Sequence, residues 1–425
     1  MSTTSISTPP TSISLSPRMR LLSIGLSLVA VMSVTRLWTG FDNLTSSGTI
    51  GAALRLTVPI MLAGLAGLWA ERVGILNIGI EGMMILGTWF GAFGAWKYGP
   101  WIGFLFAIFG GALGGLIHAV ATIRFNIDQV ISGVVMNLLA FFGVRYLSEL
   151  VFVGQPQGGI SQSPPQSSAI PKVDVPFLAG GPVGSSSTPD ALGWLEERGW
   201  FLIADLAGMT RGLMSGLSLA SLIALLLIPL SAWVLWRTSF GLRLRSSGEA
   251  PEAAESLGVN VIRVRYIGLL ISGGFAGLGG GFLSIISSSY YRQGQTAGRG
   301  FIGLATMIFG NWRPSGILGG AAVFGYSEGI KLVAGGSITG LFLFIFFVSA
   351  IVGLISLLRR QMRRGTTGIG VSVIALIAYL TVDEVPESLT QSLPYVITLI
   401  VLATASQRLR PPAKAGVPYR PGGAH

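Results

Sequence analysis

The chain carries about a dozen apolar runs separated by short polar or glycine-rich breaks, at 21–37, 50–70, 75–96, 101–123, 130–153, 213–236, 266–287, 301–310, 317–333, 338–358, 369–380 and 393–405. A hydrocarbon core about 30 Å thick takes about 20 apolar residues as a helix, and most of these runs approach that length. Composition points the same way: 51% of the residues are AVILMFWYC and only 11% are charged, against roughly 25% charged in soluble domains. A soluble globular protein is excluded. The expected fold is all-α, a polytopic integral membrane protein.

The net charge of +11 could suggest a nucleic-acid partner. In so apolar a chain it has a simpler source, because cytoplasmic loops collect Lys and Arg. With the amino terminus inside, both dense clusters fall inside: Arg237, Arg243, Arg245, Arg263 and Arg265, then Arg359, Arg360, Arg363 and Arg364. Both termini are therefore expected to be cytoplasmic, in a multi-pass protein of the cell membrane. Residues 1–20, rich in Ser, Thr and Pro, are expected to form a disordered cytoplasmic tail, 21–405 the transmembrane domain and 406–425 a second cytoplasmic tail. A cleaved signal peptide fits less well, since 21–37 is long for its apolar core and no A-x-A site follows. The external loop at 154–212 is too rich in Gly, Pro and Ser to build its own core. It is expected to cover the outer face, with a short interfacial helix over 194–206 and Trp194 and Trp200 at headgroup depth.

The run 301–310 has ten residues, about 15 Å as helix, and lies between Gly298-Arg299-Gly300 and Asn311-Trp312-Arg313-Pro314. Half-length helices between such breaks line transport paths, where free backbone groups face a ligand or water; a short tilted span is the other possibility. Small residues spaced by four, as at Gly273, Gly277 and Gly281, let helices approach closely. No GxxxxGK[ST] occurs, so the chain has no Walker site. The absence of cysteine removes disulfides and thiolate metal sites, and with only two histidines a histidine-rich metal centre is not expected.

The longest inner connection is 241–264, GLRLRSSGEAPEAAESLGVNVIRV. Pro251 suits a first helical position, Glu252 complements the helix dipole, and Gly258 suits a left-handed stop. A helix of about two turns over 251–257 follows. It can serve as a lever for a soluble partner, although an inert interfacial helix would look similar.

GEAPEAAESLGVNVIRVRYIGLLISGGFAGLGGGFLSI at 248–285 resembles the coupling-helix region of ABC importer permeases, in the branch handling simple sugars and nucleosides. RVGILNIGIEGMMILGTWFGA at 72–92, TAGRGFIGLATMIFGNWRPSGILGGAAVFG at 296–325 and LPYVITLIVLA at 393–403 are similar to three further motifs of that branch, in family order over about 350 residues. The resemblance implies a second permease subunit, often non-identical, an ABC ATPase docked beneath, and an extracytoplasmic substrate-binding lipoprotein or periplasmic protein. It implies no cofactor on this chain, ATP being bound by the partner subunit. Coupling to the ATPase would rest on Pro251, Glu252, Ala253, Ala254 and Gly258. The chain departs from the pattern at 338–383, an inserted pair of apolar runs separated by RRQMRR, which leaves about ten family-like spans plus two.

Polar residues within spans are functional candidates because burying them is costly. Asn77 and Glu81 share a helix face and Asn137 lies in the fifth run; with Tyr290 and Arg299 they are candidates for the translocation path. Interhelical hydrogen bonding is the competing role for Asn77, Asn137 and Glu81, and an interfacial aromatic belt for Tyr290 and Tyr291. Arg145 with Glu149, and Glu328 with Lys331, have spacings that allow pairing on their own helices. His118 suits a packing residue better than a proton relay. The expected function is thus an ABC importer permease for nucleosides or related neutral solutes. The alternative is an ion-gradient-driven transporter of a small polar solute with Glu81 or Asp128 as the coupling carboxylate. An intramembrane enzyme lacks the acid-base groups it would need. Sugar, purine or pyrimidine nucleoside and riboflavin-like ligands are not separable from these residues.

Overall fold

The computed structural model describes residues 16–183, 186–334, 339–382, 409–420 and 422; the apolar run at 393–405, with its LPYVITLIVLA motif, and nearly all of the amino-terminal tail lie outside them. Among the described residues fifteen α-helices follow in chain order: α1 Pro17–Thr39, α2 Ser47–Arg72, α3 Ile80–Tyr98, α4 Pro100–Ala119, α5 Gln129–Val151, α6 Ala191–Glu197, α7 Ile203–Met214, α8 Leu219–Arg237, α9 Ser239–Glu249, α10 Pro251–Ser256, α11 Val261–Phe282, α12 Arg299–Phe309, α13 Pro314–Ala334, α14 Thr339–Leu358 and α15 Met362–Thr381. Four two-residue strands in and beside the 154–212 loop pair antiparallel, β1 (Lys172–Val173) with β4 (Leu217–Ser218) and β2 (Pro182–Val183) with β3 (Ser186–Ser187). Seven helical segments among the described residues are long and apolar enough to cross a membrane.

Two compact units form. One comprises Met1–Ser46, Leu192–Met209 and Gly336–Val385. In it α1 packs on α14, and α14 and α15 form a hairpin. Its polar anchor is Asp205, buried on α7. Arg36 reaches it through Nε (3.0 Å) and Nη2 (3.0 Å), and the Ser33 and Thr45 hydroxyls donate to it at 2.5 Å each. The single interfacial helix expected over 194–206 is two helices, because Gly199 and Leu202 both take positive φ between them. Trp194 and Trp200 flank the Arg198 guanidinium, whose carbon lies 4.4 and 5.9 Å from their rings.

The other unit comprises Ser47–Ala191, Thr210–Gly335 and Pro386–His425. Here α2 is almost wholly buried and packs against α11, α12 and α13, while α3, α4 and α11 pack on one another. Their crossing is set by glycine: a β-carbon at Gly277 of α11 would fall on the Ala107 carbonyl oxygen of α4, and one at Gly87 of α3 on the Gly277 carbonyl oxygen. Helix starts follow local chemistry, with Asp128, Ser218, Thr238 and Asn260 capping α5, α8, α9 and α11 through their side chains. Both α4 and α11 end in a π-helical turn, Val120–Arg124 and Leu283–Ser287.

Two further expectations are corrected. The run 75–96 is not one helix: α3 starts at Ile80, and 73–79 is a non-helical connection. The connection at 241–264 holds most of an additional helix, α9, started by the Thr238 hydroxyl.

Candidate functional site

The connection 73–79 is buried or half-buried throughout, so its backbone groups need partners that no helical ladder supplies. The Ala70 and Glu71 carbonyls of α2 take the amides of 73–75, and side chains from other helices serve Leu76 and Ile78. Gln129 Oε1 accepts from Leu76 N (2.7 Å), His118 Nε2 lies 3.1 Å from the Leu76 carbonyl, and Asn137 Nδ2 donates to the Ile78 carbonyl (3.2 Å). Asn137 Oδ1 also accepts from Gly82 N (2.7 Å), stapling α5 to the start of α3. A carbonyl only accepts, so His118 Nε2 carries a proton and Nδ1 can accept from the Ser132 hydroxyl at 2.9 Å. Asn77 donates to Ser272 Oγ of α11 (3.0 Å), and its buried Oδ1 has no hydrogen-bond partner among the described residues.

Glu81, 7% exposed, reaches across to the half-length helix α12. Its Oε1 accepts from Gly298 N (2.9 Å) and its Oε2 from Gly300 N (2.7 Å), so this carboxylate caps the start of α12. Arg299, between those glycines, turns the other way. Its Nη2 and Nε lie 2.7 and 3.2 Å from Glu328 Oε2 on α13, and Nη1 donates to the Gln295 carbonyl at 3.1 Å. Glu328 is therefore paired with Arg299, 29 residues away, rather than held on its own helix by Lys331. Asp128, exposed at the head of α5, accepts from Val130 N and Ile131 N.

Tyr290 and Tyr291 differ sharply. Tyr291 is 1% exposed beneath the 154–212 loop, its ring tilted against Phe152 and its phenol pushed up to about 12 by burial. Tyr290 is half-buried and accepts from Arg292 Nη2 at 2.7 Å. The loop lies over this segment as a cover: Ser163 N donates to the Tyr291 carbonyl (3.1 Å), Gln166 N to Ser289 O (2.9 Å), and Gln293 N to Ser161 O (2.8 Å).

The coupling candidate α10 starts with Pro251 and ends where Gly258, at φ +83°, turns the chain. Pro251 and Ala254 are buried, whereas Glu252, Ala253, Glu255 and Ser256 are exposed and Leu257 is 85% exposed. The face opposite its packing is therefore free to meet another molecule. Near its base, charged residues that in sequence look like loop charges form a knot. Trp312 Nε1 donates to the buried Glu71 carboxylate at 2.6 Å, Arg72 Nη2 donates to the Trp312 carbonyl at 2.8 Å, and Arg72 Nη1 lies 3.6 Å from Glu249 of α9. This knot joins the end of α2, the turn after α12 and the coupling connection. Positive φ at both Asn311 and Trp312 shapes that turn. The sequence hint was the Asn-Trp-Arg-Pro punctuation; the partners lie some 240 residues away.

A cleft of about 320 Å³ between α2, α4, α8 and α11, lined by Leu62, Phe104, Ala224 and Phe282 among others, offers a polar solute almost no hydrogen-bond partner. Among the described residues no group of three or more metal-ligating side chains is placed to hold a metal ion.

The family described as branched-chain amino acid transport system / permease component matches residues 49–352, ending within α14. The guanosine ABC transporter permease protein NupQ of Bacillus subtilis is 31% identical over 381 residues, 88% of this chain and 96% of that protein. The nucleoside ABC transporter permease protein NupC of Lactococcus lactis is 32% identical over 373 residues, 85% of this chain and 93% of that protein. A putative glucose ABC transporter permease protein, TsgC13 of Haloferax volcanii, is 32% identical over 293 residues, 68% of this chain and 78% of that protein. No solved structure matches the chain.

Proposed function

Because the chain belongs to the branched-chain amino acid transport system / permease component family, we propose that it is the permease subunit of an ATP-driven importer for nucleosides or related neutral solutes. It is a multi-pass protein of the cell membrane and a transport subunit rather than an enzyme. The observation that carries the substrate class is the likeness, over 85 to 88% of this chain, to permeases named for guanosine and for nucleosides.

ATP binds and is hydrolysed on a separate ATPase, which engages the exposed face of α10 through Glu252, Ala253 and Leu257. The buried Pro251 and Ala254 seat that helix, and Gly258 lets the chain turn away. A second permease subunit, in general non-identical, completes the path, and an extracytoplasmic binding lipoprotein delivers the solute. Both termini and α10 lie on the cytoplasmic side, with the 154–212 loop outside. Access alternates as the two halves rock, α12 moving with the turn that Trp312 and Glu71 fix.

Within the path, Asn77 with its unpartnered Oδ1 and half-buried Tyr290 keep capacity to bond or stack a neutral solute. Glu81, Asn137 and Arg299 hold its walls. Both oxygens of Glu81 accept backbone amides, which disfavours it as an ion-coupling carboxylate, whereas Asp128 accepts both of its amides on Oδ1 alone.

Uptake of tritiated guanosine into cells expressing this chain with its ATPase, second permease and binding protein tests the proposal. Expected is ATP-dependent uptake that is lost in Glu252→Ala/Gly258→Val while membrane insertion persists. Uptake that survives ATP depletion but collapses with the proton gradient would refute it.

A further inference from the structure

The coupling helix stands between two weak joints. Ala250, with φ −148° and ψ 75°, breaks the path from α9, and Gly258 at φ +83° breaks the path to α11. A six-residue helix seated by two buried residues would pivot at those joints when pushed at its tip, and the push would go no further. Something must hold its base.

Residues 409–420, which the importer mechanism above does not use, lie across that base. Ala413 N donates to Glu249 Oε2 (3.0 Å) and Lys414 N to the Gly248 carbonyl (2.9 Å), gripping the last turn of α9. Glu249 is thereby shared, since its other oxygen faces Arg72. Gly416 N then donates to the Gly74 carbonyl (3.2 Å), in the connection between α2 and α3. At the near end, Arg410 N donates to Asn311 Oδ1 (2.8 Å), in the turn after α12. At the far end the Tyr419 ring lies under the Arg265 guanidinium, 5.2 Å from its carbon, where α11 begins.

The segment is built for this course. Pro411-Pro412 stiffens the approach by fixing φ. Gly416 takes φ +81°, a conformation that calls for glycine, and packs beside the Leu76 side chain. The contacts thus tie together the base of the coupling helix, the connection that Gln129, His118 and Asn137 hold, and the turn that ends α12.

We infer that residues 409–420 form a strap that positions α10, so that displacement of its tip is passed to α12 instead of being absorbed at Ala250 and Gly258. Gly416 and Tyr419 are its positioning residues. The inference rests on α10 being the element that the ATPase engages.

The chain has no cysteine, so spin labels at A253C and S315C report the separation of α10 from the start of α13 in the full-length protein. The width of that distance distribution is expected at least to double in Gly416→Val and in Tyr419→Ala, and to keep its wild-type value in Tyr419→Phe, which retains the ring. Tyr419 is only half-buried, so its alanine variant decides the matter should Gly416→Val misfold. In the assembled transporter, guanosine uptake per ATP hydrolysed is expected to fall at least tenfold in both variants while hydrolysis persists. Unchanged widths overturn the strap, as does a parallel loss of hydrolysis and uptake. A wild-type assembly with no ATP-dependent guanosine uptake refutes the importer reading instead, and the label widths then still decide the strap.

Discussion

Replacing Glu81 separates a structural carboxylate from a solute-binding one. The side chain accepts two backbone N–H groups at 2.9 and 2.7 Å while 7% exposed, so water cannot take its place without rearrangement. Hydrogen bonds to a charged group contribute roughly 1.5–3 kcal/mol each, and a buried donor left alone costs about 1–3 kcal/mol. Glu81→Ala, which orphans both amides of α12, should therefore destabilise the fold by roughly 3–6 kcal/mol. Glu81→Gln keeps one carbonyl oxygen but turns an NH2 toward the second amide and removes the charge at the helix start, for about 2–4 kcal/mol. For a chain of this size about 1 to 2 °C per kcal/mol is a fair conversion. Thermal midpoints of the purified protein, followed by tryptophan fluorescence, should fall by about 4 °C for the glutamine variant and by about 7 °C for the alanine variant. Residual uptake should scale with the folded fraction. A glutamine variant as stable as the wild type yet unable to transport would refute the reasoning, because the carboxylate would then be acting on solute or proton and not on α12.

Gly277→Ala should prevent stable folding, since its methyl group would meet the Ala107 carbonyl at a backbone crossing; a monodisperse variant with wild-type thermal midpoint would contradict the close approach. Trp312→Phe removes the donor to a buried Glu71 carboxylate and should cost about 2–3 kcal/mol, read as a lowered midpoint; the outcome against it is a variant that melts with the wild type. Asn77→Ala, which loses a neutral hydrogen bond to Ser272 worth about 1 kcal/mol and a weaker one to the Met83 sulfur, should move the midpoint little. If its Oδ1 meets the solute, the same variant raises the guanosine KM at least tenfold, and an unchanged KM removes Asn77 from the path.

What was legible in the sequence was what local chemistry decides. Pro251 and Gly258 bracket α10 within a residue of expectation, because a proline start and a left-handed stop are properties of the positions themselves. The half-length α12 was visible for the same reason, bounded by Gly298 and by Gly310 with Pro314. Hydropathy failed at 75–79, where an apolar, helix-compatible string is held open by Gln129, His118 and Asn137 from 40 to 60 residues away. Spacing on one helix failed at Glu328, which the i,i+3 rule assigns to Lys331 and the fold assigns to Arg299. Trp312 and Glu71 carried no mutual signal at all, since tryptophan N–H and carboxylate pair through tertiary placement. The short helix α10 was thus readable as a word, but not the knot beneath it.

In a helix the main chain satisfies itself, and exchanging one apolar side chain for another leaves its hydrogen bonds untouched. Along 76–78 the dependence is reversed, and the route of the backbone is written in three polar side chains carried by other helices. The usual rule for membrane proteins, that introducing polarity harms and removing it is tolerated, should therefore invert locally. A saturation library would find leucine less acceptable at Gln129, His118 and Asn137 than serine at many exposed positions of α5, and those three positions, in helices that otherwise accept most apolar letters, would stand out as the least substitutable.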